Sequence, residues 1–130
     1  MNHLAFTKEI SGSVDQICEK VTEAIKPIGF GILTRIDFDQ KMKEKLGETI
    51  PKTVILGACN PKLAFEAFKQ STDVALLVPC NIVVRDIGNG KVIVEAMRPS
   101  QMLELLKDVK SSDSIMAAEE SLKKAILTIQ

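Results

Sequence analysis

A chain of 130 residues fits one domain and can bury roughly two thirds of the surface its unfolded form exposes. Its 17 basic and 17 acidic side chains cancel, so no global field draws in nucleic acid, and with neither Tyr nor Trp present the usual stacking surfaces for bases are missing. Three cysteines are an odd count that argues against a secreted disulfide framework, and a single histidine, His3 near the N-terminus, removes His-rich zinc sites and makes a Ser-His-Asp or Cys-His mechanism depend on one badly placed residue. Lys8 and Glu9 interrupt the N-terminus before a signal core could form, and no run approaches the ~18 apolar residues of a membrane span. The expectation is a cytoplasmic protein with reduced thiols and no membrane partner.

In chain order, Leu4, Phe6, Lys8 and Ile10 alternate with other residues as a half-buried strand does. Ser13 and Gln16 fit a capping box opening a helix, whose stripe is Val14, Ile17, Cys18, Val21, Ile25 and Ile28. Cys18 belongs to that stripe and reads as a small buried hydrophobe. Pro27 and Gly29 stop the helix. A second strand follows to Asp37, with Phe30, Ile32, Thr34 and Ile36 on one face. Asp37 and Asp39 read as N-capping residues for a short surface helix from Phe38 to Leu46, closed by Gly47. Its Lys41, Lys43 and Lys45 are interleaved with glutamate and make a solvated face.

Lys52 to Cys59 predicts a third strand, and Asn60-Pro61 predicts a helix start, since Asn is a preferred cap and Pro suits the first helical position. Leu63, Ala64, Ala67 and Phe68 would be its buried stripe. Val74 to Ile87 reads as one bent strand or two pieces, disturbed by Pro79. Charge then decides the register of the hairpin around Gly88-Asn89-Gly90. A plain two-residue loop places Val84 opposite Glu95 and puts a charge on both faces. A three-residue loop pairs Val84 with Val94, Ile82 with Ala96 and Asp86 with Val92, leaving one apolar face, with Arg85 and Glu95 sharing the other. Cys80 falls on the apolar face and Asn81 on the charged one. Met102, Leu103, Leu106 and Val109 suggest an amphipathic helix, and after Ser111–Ser114 the stripe Ile115, Ala118, Leu122, Ile126, Ile129 suggests a last one. The order implies a single α+β domain over residues 1–130, a largely antiparallel sheet with helices on one face.

The motif that stands out is a doubled one: Leu56-Gly-Ala-Cys-Asn-Pro61 and Leu77-Val-Pro-Cys-Asn81 each set a Cys-Asn step in an apolar setting. Cys59 precedes a helix start, where free N–H groups favour an anion, so a depressed thiol pKa is expected there, with Lys62 adding to it. Two thiols without a Cys-x-x-Cys spacing are too few for a structural zinc. What remains is a thiol, sulfur-handling, soft-metal or small-molecule site built on Cys59, Asn60, Cys80 and Asn81, with Arg85 and Glu95 as further candidates on the sheet. The residues name no cofactor and no catalytic group. The other reading is a non-catalytic binding or assembly module, a homo-oligomer formed through a sheet edge or the last helix.

Gly29-Phe-Gly-Ile-Leu-Thr-Arg-Ile-Asp37, together with the two Cys-Asn segments, resembles the domain of unknown function 302 family over most of the chain. The resemblance implies a compact α+β fold with a curved antiparallel sheet backed by helices, as in the TATA-binding-protein-like architecture. It implies no established activity. Carried onto this chain, the family's motif positions are Cys59, Asn60, Pro61, Pro79, Cys80 and Asn81.

Overall fold

The computed structural model describes residues 3–106, 108–110 and 112–130. The elements run β1 (Ala5–Ser11), α1 (Val14–Ile25), β2 (Gly31–Asp37), α2 (Phe38–Leu46), β3 (Thr53–Cys59), α3 (Pro61–Gln70), β4 (Cys80–Gly88), β5 (Lys91–Met97), α4 (Pro99–Leu103) and α5 (Asp113–Leu127). Short 3-10 turns occupy Lys26–Ile28 and Thr72–Leu76. The five strands form one open sheet in the order β1-β5-β4-β3-β2, antiparallel at every pairing. No helix among the described residues is long and apolar enough to cross a membrane.

Period-two alternation makes the sheet one-sided. Val54, Leu56 and Ala58 of β3 line up with Val84, Ile82 and Cys80 of β4, and Val94 and Ala96 of β5 continue the same face. On it pack the α1 stripe (Val14, Ile17, Cys18, Val21, Ile25) and the α5 stripe (Leu122, Ile126), which complete one core with Ile10 and Phe30. Burying each such aliphatic side chain is worth about 1.5–3 kcal/mol, so this face holds most of the fold's stabilisation. Lys8, an odd member of the β1 pattern, has a physical reason to be there. Its ammonium donates to the carbonyls of Leu127 and Ile129, satisfying acceptors that the end of α5 leaves free. The Ser13–Gln16 capping box is present at α1.

The hairpin pairing is the one that charge predicts, but the turn reaches it by another route. Asn89 and Gly90 have φ of 57° and 71°, which makes a two-residue loop with Gly88 opposite Lys91, and a bulge between Asp86 and Gly88 restores the register. Val84 thus faces Val94, and Arg85 Nη2 lies 3.6 Å from Glu95 Oε1 on the opposite side of the sheet from Ile82 and Val84.

Five expectations are corrected. In β2 a register shift between Ile32 and Thr34 leaves Leu33 as an extra residue: Ile32 pairs with Ala58 but Thr34 with Gly57, which lie on opposite faces. Thr34 and Ile36 therefore leave the helix-covered side that Ile32 keeps. Asp37 occupies the N-cap position of α2 but its side chain accepts no capping hydrogen bond, and Asp39 lies inside the first turn. Asp37 is bound to Arg35 at 3.0 Å, and Asp39 Oδ1 accepts from the Thr53 N–H at 3.1 Å, tying α2 to β3. Val74 is in a 3-10 turn rather than a strand, because Ser71 caps that turn through the Asp73 N–H and β4 begins only after Pro79. Phe68 is 44% exposed, since α3 lies at the end of the sheet and buries only a narrow side centred on Ala67. The helix expected from Met102 to Val109 stops at Leu103, and Val109 instead packs with Ala67 and Val74 in a second, smaller core. Lys107 of that expected helix, and Ser111 of the expected linker, lie outside the described residues.

Candidate functional site

Where β3 ends and β4 begins, the sheet stops and the chain covers its end with α3, the Thr72–Leu76 turn and α4. Between them lies a cavity of about 70 Å³. Phe30 and Ala58 form the side toward the main core. Leu63, Ala64 and Ala67 of α3 form a second wall, Val74, Leu77 and Val78 a third, and Pro99, Met102, Leu103 and Ile115 close it. The remaining lining groups are Cys59, Asn60 and Cys80.

Local rules put each of these three there. Cys59 is the last residue of β3 and is buried. Asn60 leaves the strand in an extended conformation, and its Oδ1 accepts from the Leu63 N–H at 3.3 Å, so it caps α3 with Pro61 at the first helical position. Cys80 is the first residue of β4, opposite Ala58 and on the same face as Ile82. Its Sγ donates to Met102 Sδ at 3.2 Å, so the cavity wall contains a thiol–thioether contact with Cys59 nearby.

The other sequence candidates are elsewhere. Asn81 is exposed and pairs with Gly57 on the face opposite Cys80. Arg85 and Glu95 face each other further along that side, and neither lines the cavity. Of the doubled Cys-Asn step, Cys59, Asn60 and Cys80 line the cavity, whereas Asn81 projects to the opposite face of β4 from Cys80. Met102 was missed, for a reason: it lies 22 residues from Cys80, and its spacing reads only as a helix stripe. No signal in the sequence pairs it with the cysteines.

The expectation of an acidic Cys59 is also corrected. Burial pushes the Cys59 thiol up from its ordinary value, the opposite of a helix-start thiolate. The first-turn N–H of Leu63 is already taken by Asn60, the cavity walls are apolar, and Lys62 stays exposed. Cys80 is pushed up to about 11, first by burial and then by the neighbouring Cys59 and by Glu119. Both thiols are protonated at neutral pH. What the arrangement offers is two cysteines and a methionine lining an apolar space, and among the described residues no group of three or more His, Cys, Asp or Glu gathers as a harder metal would require.

Comparison with known proteins adds the following. The family model described as Domain of unknown function DUF302 matches residues 6–129. The crystal structure of an uncharacterized conserved protein DUF302 from Bacillus stearothermophilus is similar to the chain, with a TM-score of 0.77 and 22% identity, covering 98% of this chain and 96% of that one. At that identity the likeness concerns the fold alone. Among curated proteins none matches the chain.

Proposed function

Because the chain belongs to the DUF302 family, whose fold by itself assigns no activity, we propose a function from the cavity: it binds a small, soft ligand through its sulfur atoms and does not turn it over. The observation that carries this reading is the presence of Cys59, Cys80 and Met102 in the lining of one cavity, with Cys80 Sγ and Met102 Sδ 3.2 Å apart. Size narrows the occupant. About 70 Å³ is well below the roughly 300–1,000 Å³ of pockets that take organic ligands. A metal ion or a sulfur species of a few atoms fits that space. Thiols held protonated by burial are poor nucleophiles, and turnover needs a base beside the thiol; a thiophilic species can still be captured by displacing the thiol proton.

Mercuric ion tests the reading. One equivalent of Hg(II) should bridge Cys59 and Cys80, so that both become resistant to iodoacetamide together. Independent loss of reactivity, one mercury per thiol, would show that the two sulfurs do not share a site.

A second reading, assembly with another copy, draws on the far face of the sheet. Ile55, Val83 and Ile93 are only half-buried there, Ile36 is 43% exposed, and Arg85 and Glu95 stand beside them. A two-fold arrangement through this face would cover the apolar residues. Sedimentation equilibrium should then give a dimer that Val83→Glu dissociates, and a monomer at high micromolar concentration would refute it.

A further inference from the structure

We propose that the cavity is a Cu(I) site whose ligands are Cys59 Sγ, Cys80 Sγ and Met102 Sδ. This inference rests on the soft-ligand reading above and commits it to one ion.

Three observations select that ion. The first is the donor set. Two thiols and a thioether are soft ligands of the kind that favour monovalent copper, whereas zinc sites take four ligands from Cys, His and carboxylates. The one other polar group in the wall, Asn60, already has its Oδ1 on the Leu63 N–H. The second is geometry. Metal–sulfur bonds of about 2.3 Å put trigonal ligands about 4 Å apart. Cys80 and Met102, now at 3.2 Å, need to part by less than about 1 Å, a shift that the flexible Met102 side chain absorbs. Cys59, the last residue of β3, lines the same space past the end of the sheet and is the third ligand of the proposed site. The third is charge. An apolar wall penalises net charge, and a monovalent ion with one or two thiolates leaves at most one unit, spread over copper and sulfur.

Binding is proton displacement without electron transfer. Copper enters as Cu(I), each cysteine that ligates gives its S–H proton to water, and Met102 contributes a lone pair of its neutral sulfur. Because each ligating thiol releases a proton, affinity should rise with pH across the neutral range.

The test is anaerobic titration of the full chain with Cu(I) buffered by bicinchoninate. One ion per chain is expected, with Cys59→Ser and Cys80→Ser each weakening it at least 100-fold. Met102→Leu should weaken it about tenfold while leaving the thermal midpoint close to wild type, since Leu for Met nearly conserves volume. Zn(II) should not displace the copper. Unchanged affinity in Met102→Leu, or equal competition by Zn(II), would overturn the three-sulfur assignment. If Cu(I) fails to bind while Hg(II) still bridges the two cysteines, copper is wrong and the soft-ligand reading stands. If Hg(II) does not bridge them, both fall.

Discussion

Cys18 and Cys80 keep their protons far into the alkaline range because each is held in apolar surroundings, and both are raised from 9.0 to about 11, with burial the leading cause. The sign of the linkage follows. A thiol whose folded pKa exceeds its unfolded one contributes stability that is fully present below pH 9 and is lost as pH rises through the folded value. Unfolding free energy should therefore be flat with respect to these thiols up to about pH 9. It should then fall by about 1.4 kcal/mol per pH unit for each thiol, up to about pH 11. Urea titrations of Cys18→Ala, matched against wild type from pH 8 to 11, should show a shallower alkaline decline, and parallel curves would contradict the assignment. Asn60 makes a separate prediction. Asn60→Ala removes the α3 cap and should cost about 1 kcal/mol, while Asn60→Ser or Asn60→Asp should recover most of it. The cap was legible in the sequence because Asn-Pro is a local signal. The raised pKa of Cys59 was not, because it is set by walls contributed by Met102 and Leu77, which no local pattern joins to it.

The long helices were readable because each carries its own period, α1 and α5 burying the stripes their sequences display, and β3 because its Thr-Val-Ile-Leu run is a buried strand's composition. Departures came where tertiary packing overrules the period. The shift in β2 answers to what lies over Gly57. A Cβ built on Gly57 would come within 2.1 Å of Thr34 Oγ1 and 2.6 Å of Pro79 Cγ, so β2 and the Val78–Pro79 segment, whose peptide is cis, both close on a position that only glycine can fill. Gly57→Ala should destabilise the fold by at least about 2 kcal/mol, judged by denaturant midpoint, because backbone-anchored atoms would have to move. Adding Thr34→Ala should recover only part of it, since Pro79 remains. Full recovery would mean that the proline ring is not in contact. The short α4 has a similar origin. Val109 is drawn onto Ala67 and Val74, and the Lys110 N–H onto Gln70 Oε1 at 3.3 Å, so the chain after Leu103 follows α3 instead of continuing its own helix.

Of the polar contacts that join the layers, one frames the sulfur cavity. Glu119 of α5 is 4% exposed and accepts from the Ser100 N–H at 2.8 Å and from Arg98 Nη2 at 3.3 Å, which pins the start of α4, and with it Met102, to α5. Arg98 in turn donates to the His3 carbonyl and lies over the Phe6 ring, linking β1 to the same corner. Glu119→Ala should cost about 2–3 kcal/mol, short of the 3–5 kcal/mol of a fully enclosed pair because Arg98 stays 30% exposed. Glu119→Gln, which can still accept from Ser100, should cost less. In solution Glu119→Ala should also weaken copper binding more than it alters the main core, since Ile17 and Ile82 do not depend on α4. The fold class and the pairing of β4 with β5 were accessible from sequence, because hydrophobic alternation and charge specify them locally. The convergence of Cys59, Cys80 and Met102 was not, because it depends on three segments meeting past the end of the sheet. The measurement that tests this convergence most directly is an anomalous difference map from a crystal of the Cu(I)-loaded protein, recorded at the copper edge. One peak bonded to Cys59 Sγ, Cys80 Sγ and Met102 Sδ is the expected result, and copper on the surface with the three sulfurs in separate closed pockets would contradict it.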